Sequence, residues 1–189
     1  RHRRRHQTRM SARPLDGIVV VELGHSVAAP YAGQVLGDLG AEVIKVEKAA
    51  GDDARKWGPP FLDGASATFQ SLNRNKRSVV CDLRDPGDRA ALLAFVREKA
   101  DVVIQNLRPG QAEEIGLGAS AMTELKGSLI YCNVGAFGAN GPLSRRPGYD
   151  PLMQAFGGIM SVVGEEGRPP VRVGPSIMDM GTAMWAVIG

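Results

Sequence analysis

The stretch GIVVVELG, residues 17–24, is a continuous apolar run rich in valine. Such a run is typical of a strand buried on both faces, as in a parallel sheet with helices on each side. Small and apolar residues follow at helical spacing in residues 25–41, and Gly40 stands where that helix would end. The next apolar run, residues 42–47, predicts a second strand. Strand, helix and strand in this order predict a βαβ unit, whose two strands are parallel.

The same alternation continues along the chain. Three further strands are predicted in residues 77–83, 101–106 and 128–134. Residues 85–100 predict an amphipathic helix with Asp85 as its N-cap. Strands that alternate with helices predict an α/β fold with a doubly wound, mostly parallel sheet. Ligands of such sheets bind outside the carboxyl ends of the strands, so we expect the functional site at that edge.

The charge distribution restricts the partners that the chain could bind. The formal net charge is +3, and much of the positive charge comes from a few residues at the start: Arg1, Arg3, Arg4, Arg5 and Arg9. Residues 1–13 are therefore predicted to form a basic, disordered tail. Because the excess of positive charge is confined to this tail and the remainder of the chain is close to neutral, no nucleic-acid partner is predicted. The tail is either upstream sequence before a natural start at Met10, which we favour, or the remnant of an organelle-targeting peptide.

Signatures of membrane, metal and cofactor binding are missing from the sequence. No run is long and apolar enough to span a bilayer, so no membrane partner is predicted. The first strand-to-helix turn, LGHSVAAP in residues 23–30, lacks the G-x-G-x-x-G of dinucleotide sites. His25, Cys81 and Cys132 have no partners at metal-ligand spacing, so no metal site is predicted and the cysteines are expected to be buried, reduced thiols. Reduced thiols indicate a cytoplasmic protein, or one of the mitochondrial matrix if the tail is a transit-peptide remnant.

An ordered series of segments resembles the class III CoA-transferases, the family of formyl-CoA transferase and carnitine CoA-transferase, whose fold also occurs in α-methylacyl-CoA racemase. The segments are PLDGIVVVELGHSVAAPYAGQVLGDLGAEVIKVE (14–47), GDDARKWGPPF (51–61), LNRNKRSVVCDL (72–83), DVVIQNLRPG (101–110) and GANGPLSRRPGYDPLMQAFGGIMSVVGEEGRPPVRVG (138–174), followed by Asp179. Each segment alone is weak evidence for the family, but their shared order along almost the whole chain is specific evidence.

The resemblance implies that residues 14–189 are the N-terminal part of a Rossmann-like large domain. Members of the family are longer, and their later half carries a smaller domain, a glycine-rich loop over the reacting centre and segments that return to the first domain. The final residues, MWAVIG, show no helix-ending signal, so the sequence is predicted to stop inside a helix and to be incomplete without a C-terminal half. The resemblance also implies an interlocked homodimer for the full-length protein.

The resemblance identifies Asp179 as the catalytic nucleophile and implies that Tyr149 is a second residue of the catalytic site. In the implied reaction, the aspartate attacks an acyl-CoA thioester and forms an aspartyl anhydride, then an aspartyl-CoA thioester, before a second carboxylic acid leaves as the new CoA ester. Coenzyme A is a substrate here and not a bound cofactor. Backbone N–H groups near a helix start are expected to stabilise the oxyanions. The alternative for Asp179 is a plain N-cap of the last helix, and the neighbouring Asp150 is expected to cap the helix that begins at Pro151.

The resemblance further implies contacts to coenzyme A from segments at several turns: Ser26, Val27, Ala28, Lys48, Asn73, Arg74, Asn75, Lys76, Asn106, Leu107, Arg108, Arg146, Pro147 and Gly148. For each Lys and Arg the alternative is a solvated surface charge. Two positions depart from formyl-CoA transferase, which has glutamine at the place of Val27 and arginine at the place of Glu114. A carboxylate at Glu114 would repel a phosphate of CoA.

Three functions remain open from the sequence. The favoured one is CoA transfer, with succinyl-CoA and a dicarboxylate acceptor, for which Arg145, Arg146 and Arg172 are candidate cations. Racemases of this fold carry a histidine where this chain has Tyr149, and tyrosine, with a reference pKa of about 10, is a poor acid or base near neutral pH. Racemisation is therefore the second hypothesis. The third is a non-catalytic fragment that binds CoA or only dimerises.

Overall fold

A computed structural model of the chain describes residues 13–189. The predicted basic tail therefore lies outside the described residues, apart from Arg13, whose guanidinium pairs with Asp16 at 2.9 Å. The strands are β1 (Val19–Leu23), β2 (Glu42–Glu47), β3 (Phe61–Leu62), β4 (Ala65–Ser66), β5 (Lys76–Val80), β6 (Val102–Gln105) and β7 (Ile130–Asn133). The helices are α1 (Ala28–Asp38), α2 (Ala67–Leu72), α3 (Pro86–Lys99), α4 (Gln111–Glu114), α5 (Ala119–Leu125), α6 (Asp150–Phe156) and α7 (Ile177–Ile188).

One five-stranded sheet organises the structure, with the strand order β5–β2–β1–β6–β7. All neighbouring pairs in it are parallel, which confirms the predicted doubly wound sheet. The chain runs outward from β1 through β2 to β5, then returns to place β6 on the other side of β1. The turns after β1 and β6 therefore leave in opposite directions and open a crevice at the carboxyl edge, where ligands of such sheets bind.

Two apolar clusters cover the two faces of the sheet, because successive side chains of a strand point to opposite sides. Val21 packs with the residues of α3 and α5, while Val20 packs with those of α1 and α7. Both valines are fully buried, which is why residues 17–24 are a continuous apolar run. Helix α7 reaches this core through Ala183. This packing fixes the start of α7 near the carboxyl edge of β1.

The locally encoded elements were predicted best. Strand β2 has its predicted bounds, and α3 begins after Asp85, whose carboxylate accepts a hydrogen bond from the Asp88 amide at 2.9 Å. Gly40 follows the end of α1 with φ +114, a left-handed conformation that favours glycine. Helix α1, however, begins only at Ala28, since Ser26 has φ +68 and cannot continue a helix.

In two parts of the chain the prediction from sequence did not indicate the structure that forms. The β3–β4 hairpin was not predicted, although the dipeptide Asp63–Gly64 at its turn, with φ +48 and +80, is a recognisable hairpin signal. Val171 and Val173 alternate with other residues as in a strand, yet residues 171–174 form no strand. Their backbone instead bonds to a side chain, because Val173 donates to Oε1 of Gln154 at 2.8 Å. Within residues 13–189, no helix has the length and apolarity needed to cross a membrane.

Candidate active site

A groove of about 540 Å³ lies at the crevice between β1 and β6. Most of the predicted site residues line it: Ser26, Val27, Ala28, Asn106, Leu107, Arg108, Arg146, Pro147, Gly148, Tyr149 and Asp179. These residues come from distant parts of the chain, so the fold brings the predicted nucleophile and much of the predicted CoA site to one surface.

Asp179 is the third residue of α7 and lies on the groove wall. It is not an N-cap, which corrects that alternative: Ser176 occupies the N-cap position. No described residue donates a hydrogen bond to its carboxylate. Burial, and to a lesser extent the negative charge of Asp150, together raise the pKa of Asp179 to about 6. The carboxylate is therefore mostly ionised at pH 7, yet it is more basic than an ordinary aspartate.

The cap of α7 comes from another helix. The carboxylate of Asp150, at the start of α6, accepts hydrogen bonds from the backbone N–H groups of Met178 at 2.8 Å and Asp179 at 3.1 Å. Asp150 was expected to cap its own helix, and this expectation was wrong, because Asp150 is the first helical residue and makes no such bond. Asp150 thus occupies the N–H groups of Met178 and Asp179, so these two groups are not available to stabilise an oxyanion.

The turn after β1 is held by hydrogen bonds to Asn106, on the groove wall, and to the buried Asp52. The side-chain amide of Asn106 accepts from the backbone N–H of His25 and donates to its carbonyl, both at 2.9 Å. The backbone N–H of Ser26, in its left-handed conformation, donates to Asp52 at 3.1 Å. Asn106, predicted to contact CoA, thus joins the turns that follow β1 and β6. Burial lowers the pKa of His25, whose imidazole lies within hydrogen-bonding distance of the Ser26 hydroxyl.

A buried cluster of charges supports this turn. The ammonium of Lys45 contacts carboxylate oxygens of Glu22 at 2.8 Å and Asp52 at 2.9 Å, and it donates to the Gly24 carbonyl at 2.9 Å. Lys76 pairs with the other oxygen of Glu22 at 2.8 Å. Glu22, Lys45 and Asp52 are all at most 5% exposed, so the charges balance inside the protein. They connect the sheet to the wall of the groove.

Five residues of the predicted CoA site do not line the groove. Lys76 is almost fully buried in the charge cluster, so its ammonium does not reach the surface. Arg74 and Asn75 instead bond Asp38 at the end of α1, and the amide of Asn73 bonds Lys76 and the Phe69 carbonyl. Residues 73–75 precede β5 and Lys76 is its first residue, so all four lie at the amino edge of the sheet. Lys48 pairs with Asp53 at 2.7 Å on the surface.

The carboxyl edge of β5 carries other residues than those predicted. Residues 81–84 follow that strand, whereas the predicted residues 73–76 come before it or begin it. The direction of the strand was the signal that sequence reasoning overlooked. Asp53, Trp57 and Thr182 also line the groove and were not proposed. Trp57 is 46% exposed and adds an aromatic surface to the wall of the groove.

Two arginine side chains line the groove. Among the described residues, neither Arg108 nor Arg146 forms an ion pair. Both also border an adjoining cavity of about 550 Å³, which Arg145 and Glu114 help to line. Arg172 lines neither cavity. Of the three arginines considered for a distal carboxylate, Arg146 is the one on the same groove as Asp179.

The described residues contain no group of three or more His, Cys, Asp or Glu side chains arranged to hold a metal ion. Cys81 is buried, Cys132 is partly buried, and both are free thiols. Burial raises the pKa of each thiol, which keeps it protonated near neutral pH. These cysteines therefore pack in the core and do not approach the groove.

Comparison with known proteins gives one consistent result. A family model described as CoA-transferase family III matches residues 15–189. The chain is 42% identical over 180 residues to succinyl-CoA:glutarate CoA-transferase of Mus musculus, covering 93% of this chain and 40% of the relative. It is 42% identical over 178 residues to succinyl-CoA–D-citramalate CoA-transferase of Chloroflexus aurantiacus, covering 94% and 44%.

A solved structure agrees with these relatives. The crystal structure of a CAIB/BAIF family protein from Brucella suis superposes with a TM-score of 0.89 at 44% identity, covering 93% of this chain and 47% of that protein. The chain thus spans less than half the length of the relatives that it matches.

Proposed function

The chain belongs to CoA-transferase family III, and from this we propose that the full-length protein is an acyl-CoA:carboxylate CoA-transferase with Asp179 as its nucleophile. The observation that carries the proposal is the position of Asp179. Its carboxylate, which accepts no hydrogen bond from the described residues and has a pKa of about 6, lies in the groove at the point where the sheet reverses its strand order. Named relatives that transfer CoA between carboxylic acids support the reaction class.

The reaction balances without any proton transfer. A carboxylate oxygen of Asp179 attacks the thioester carbonyl, the carbon–sulfur bond breaks, and a mixed anhydride and CoA thiolate form. The thiolate attacks the aspartyl carbonyl, which releases the donor acid and leaves an aspartyl-CoA thioester. The acceptor carboxylate then displaces the thiolate to form a second anhydride. Attack of the thiolate on the acyl carbonyl of that anhydride gives the new acyl-CoA and restores Asp179.

The groove suits this chemistry better than racemisation. Moving an α-proton requires acid and base groups near neutral pH, whereas CoA transfer requires an ionised carboxylate and cations for the anionic substrate. The groove supplies the latter through Asp179, Arg108 and Arg146. Tyr149, 62% exposed on the groove wall, stands where the racemases carry histidine. We therefore propose no proton-transfer role for Tyr149 and assign it to the wall beside the thioester.

We expect an acyl-CoA donor to modify Asp179 covalently. The full-length protein is mixed with succinyl-CoA without an acceptor acid, hydroxylamine is added, and the peptides are mapped by mass spectrometry. A hydroxamate is expected at Asp179, because an anhydride or thioester of that side chain reacts with hydroxylamine whereas a free carboxylate does not. Asp150 provides the internal control, because its carboxylate is buried and hydrogen-bonded and should remain unmodified. Labelling at any other carboxylate, with Asp179 unmodified, contradicts the proposal.

The proposed donor is succinyl-CoA and the proposed acceptor a dicarboxylic acid. Two relatives with succinyl-CoA in their names support this choice, and Arg146 is placed to pair with a distal carboxylate. We expect kcat/KM for succinyl-CoA to exceed that for formyl-CoA or carnitinyl-CoA by at least about tenfold, or about 1.4 kcal/mol of transition-state stabilisation. A preference for formyl-CoA rejects this donor but leaves CoA transfer standing.

Two matched variants test whether Arg146 causes the preference for succinyl-CoA. Arg146→Met is expected to remove most of the advantage of succinyl-CoA over butyryl-CoA, which has a similar chain but no distal carboxylate. Arg145→Met, the neighbouring arginine on the adjoining cavity, is expected to leave that ratio unchanged. Equal effects of both variants contradict a specific role for Arg146. We also propose that the full-length protein is an interlocked homodimer, as the family resemblance implies, and that it is cytoplasmic, as the reduced thiols indicate.

A further inference from the structure

The start of α7 is bonded to a buried carboxylate from α6. Asp150 is 5% exposed, and its Oδ2 accepts from the N–H groups of Met178 and Asp179 at 2.8 and 3.1 Å. Its other oxygen, Oδ1, accepts from the side-chain amide of Gln154. Gln154 is fully buried, and its Oε1 accepts from the backbone of Val173 at 2.8 Å. Asp150 is therefore held rigidly against the helix that carries the nucleophile.

This contact leaves no backbone donor of the first turn for Asp179. The N–H of Ile177 bonds the carbonyl of Pro175 at 2.8 Å, and that of Met180 bonds the carbonyl of Ser176 at 2.9 Å. An aspartate in the first turn of a helix is normally stabilised by such donors and by the positive end of the helix dipole, which make its carboxylate less basic. Here the charge of Asp150 occupies the donors and opposes the dipole.

We propose that Asp150 is a positioning residue that keeps the carboxylate of Asp179 free of hydrogen bonds, and therefore reactive, by occupying the backbone donors of α7 with its own negative charge. This inference rests on the proposed role of Asp179 as nucleophile. A carboxylate that no donor stabilises keeps its lone pairs available for attack on a carbonyl. The same contact fixes the backbone of Asp179, which fixes the direction of attack.

The electrostatic environment of Asp179 agrees with this role. Burial and the charge of Asp150 both raise the pKa of Asp179, which reaches about 6. Asp150 differs from the other charged groups because it binds the backbone of Asp179 itself. The other titratable groups on the groove wall, and those on α1, which packs against α7, are His25, Asp53, Arg108, Arg146, Tyr149, Tyr31 and Asp38.

The test is the pH profile of aspartyl adduct formation in the full-length protein. Succinyl-CoA is mixed with excess enzyme, the reaction is quenched at set times between about pH 4.5 and 8, and the adduct at Asp179 is quantified by mass spectrometry. For the wild type, the rate is expected to fall as the pH drops through about 6, where Asp179 becomes protonated. This fall in rate at low pH is the acid limb of the profile. Asp150→Asn should move the midpoint of the acid limb down by about one pH unit. It should also lower the rate at pH 8 about tenfold, with less than about a threefold change in KM for the donor.

Companion variants separate this role from a purely structural one. Asp150→Ser removes the charge but keeps a hydroxyl that can accept from α7, and it should shift the acid limb in the same direction. Asp150→Glu restores the charge and should return the limb toward the wild-type position. Asp85→Asn removes a comparable carboxylate cap from α3, away from the groove, and should leave the limb unchanged.

The outcomes distinguish this inference from the proposed function. If the wild type forms no adduct at Asp179, the proposed function fails, and the role of Asp150 fails with it. If the adduct forms but neither uncharged variant moves the acid limb, Asp150 only stabilises the fold and this inference alone is overturned. A shift of the limb in both uncharged variants, with recovery in Asp150→Glu, supports it.

Discussion

Asp179→Asn is expected to abolish CoA exchange, lowering kcat/KM by at least about a thousandfold, or about 4 kcal/mol of transition-state stabilisation. The amide has almost the shape of the carboxylate but is not an anionic nucleophile, so no anhydride can form. Exchange is measured with the full-length protein by following transfer of CoA from succinyl-CoA to a labelled dicarboxylic acid. A variant that retains more than about a tenth of the wild-type rate would show that another residue attacks the thioester.

The fold provides a control for this loss. The carboxylate of Asp179 receives no hydrogen bond from the described residues, so the amide deprives no protein group of a partner. The pKa of Asp179 in the folded protein, about 6, lies above its ordinary value of 3.8. Its ionisation therefore costs stability as the pH rises from about 4 to 6. Asp179→Asn should accordingly be as stable as the wild type at pH 4 and at least as stable at pH 7, so the loss of exchange is not explained by unfolding.

The sequence predicted elements that depend on neighbouring residues and missed contacts between distant ones. The bounds of β2 and the Asp85 cap of α3 follow from patterns within a few residues. The cap of α7 by Asp150 joins positions 29 residues apart, measured from Asp150 to Asp179. No periodicity or local motif encodes such a contact, so the sequence led to the usual expectation that an aspartate beside a proline caps its own helix.

The predicted site residues also fall into two groups, those that line the groove and those that do not. Residues after β1 and β6 reached the groove because the carboxyl-edge rule for parallel sheets places them there. Residues 73–76 were included only through the resemblance, and the direction of β5 puts them at the opposite edge. Lys45 shows a further limit, since a lysine in a strand pattern is ordinarily expected at the surface. Its burial depends on acids from β1 and from the loop after β2, which only the folded chain brings together.

Lys45→Met is expected to destabilise the full-length protein by about 3 kcal/mol or more. The side chain is 1% exposed, and its ammonium is bonded to Glu22, Asp52 and the Gly24 carbonyl. Burial alone would lower the pKa of Lys45, yet the two carboxylates hold it above its ordinary value. Methionine fills a similar volume but leaves two buried carboxylates short of a counter-charge. Urea unfolding at pH 7, followed by circular dichroism, measures the change in free energy.

The matched control is Lys48→Met, three residues further along the chain. Lys48 pairs with Asp53 at 2.7 Å, but both side chains are more than half exposed, so water screens the pair and its loss should change stability by less than about 0.5 kcal/mol. In Lys45→Met, Glu22 keeps its contact with Lys76, whereas Asp52 loses its only cation among the described residues. Adding Asp52→Asn should therefore recover part of the lost stability. Equal effects of Lys45→Met and Lys48→Met, or no recovery in the double variant, would show that the buried charges do not stabilise the turn after β1.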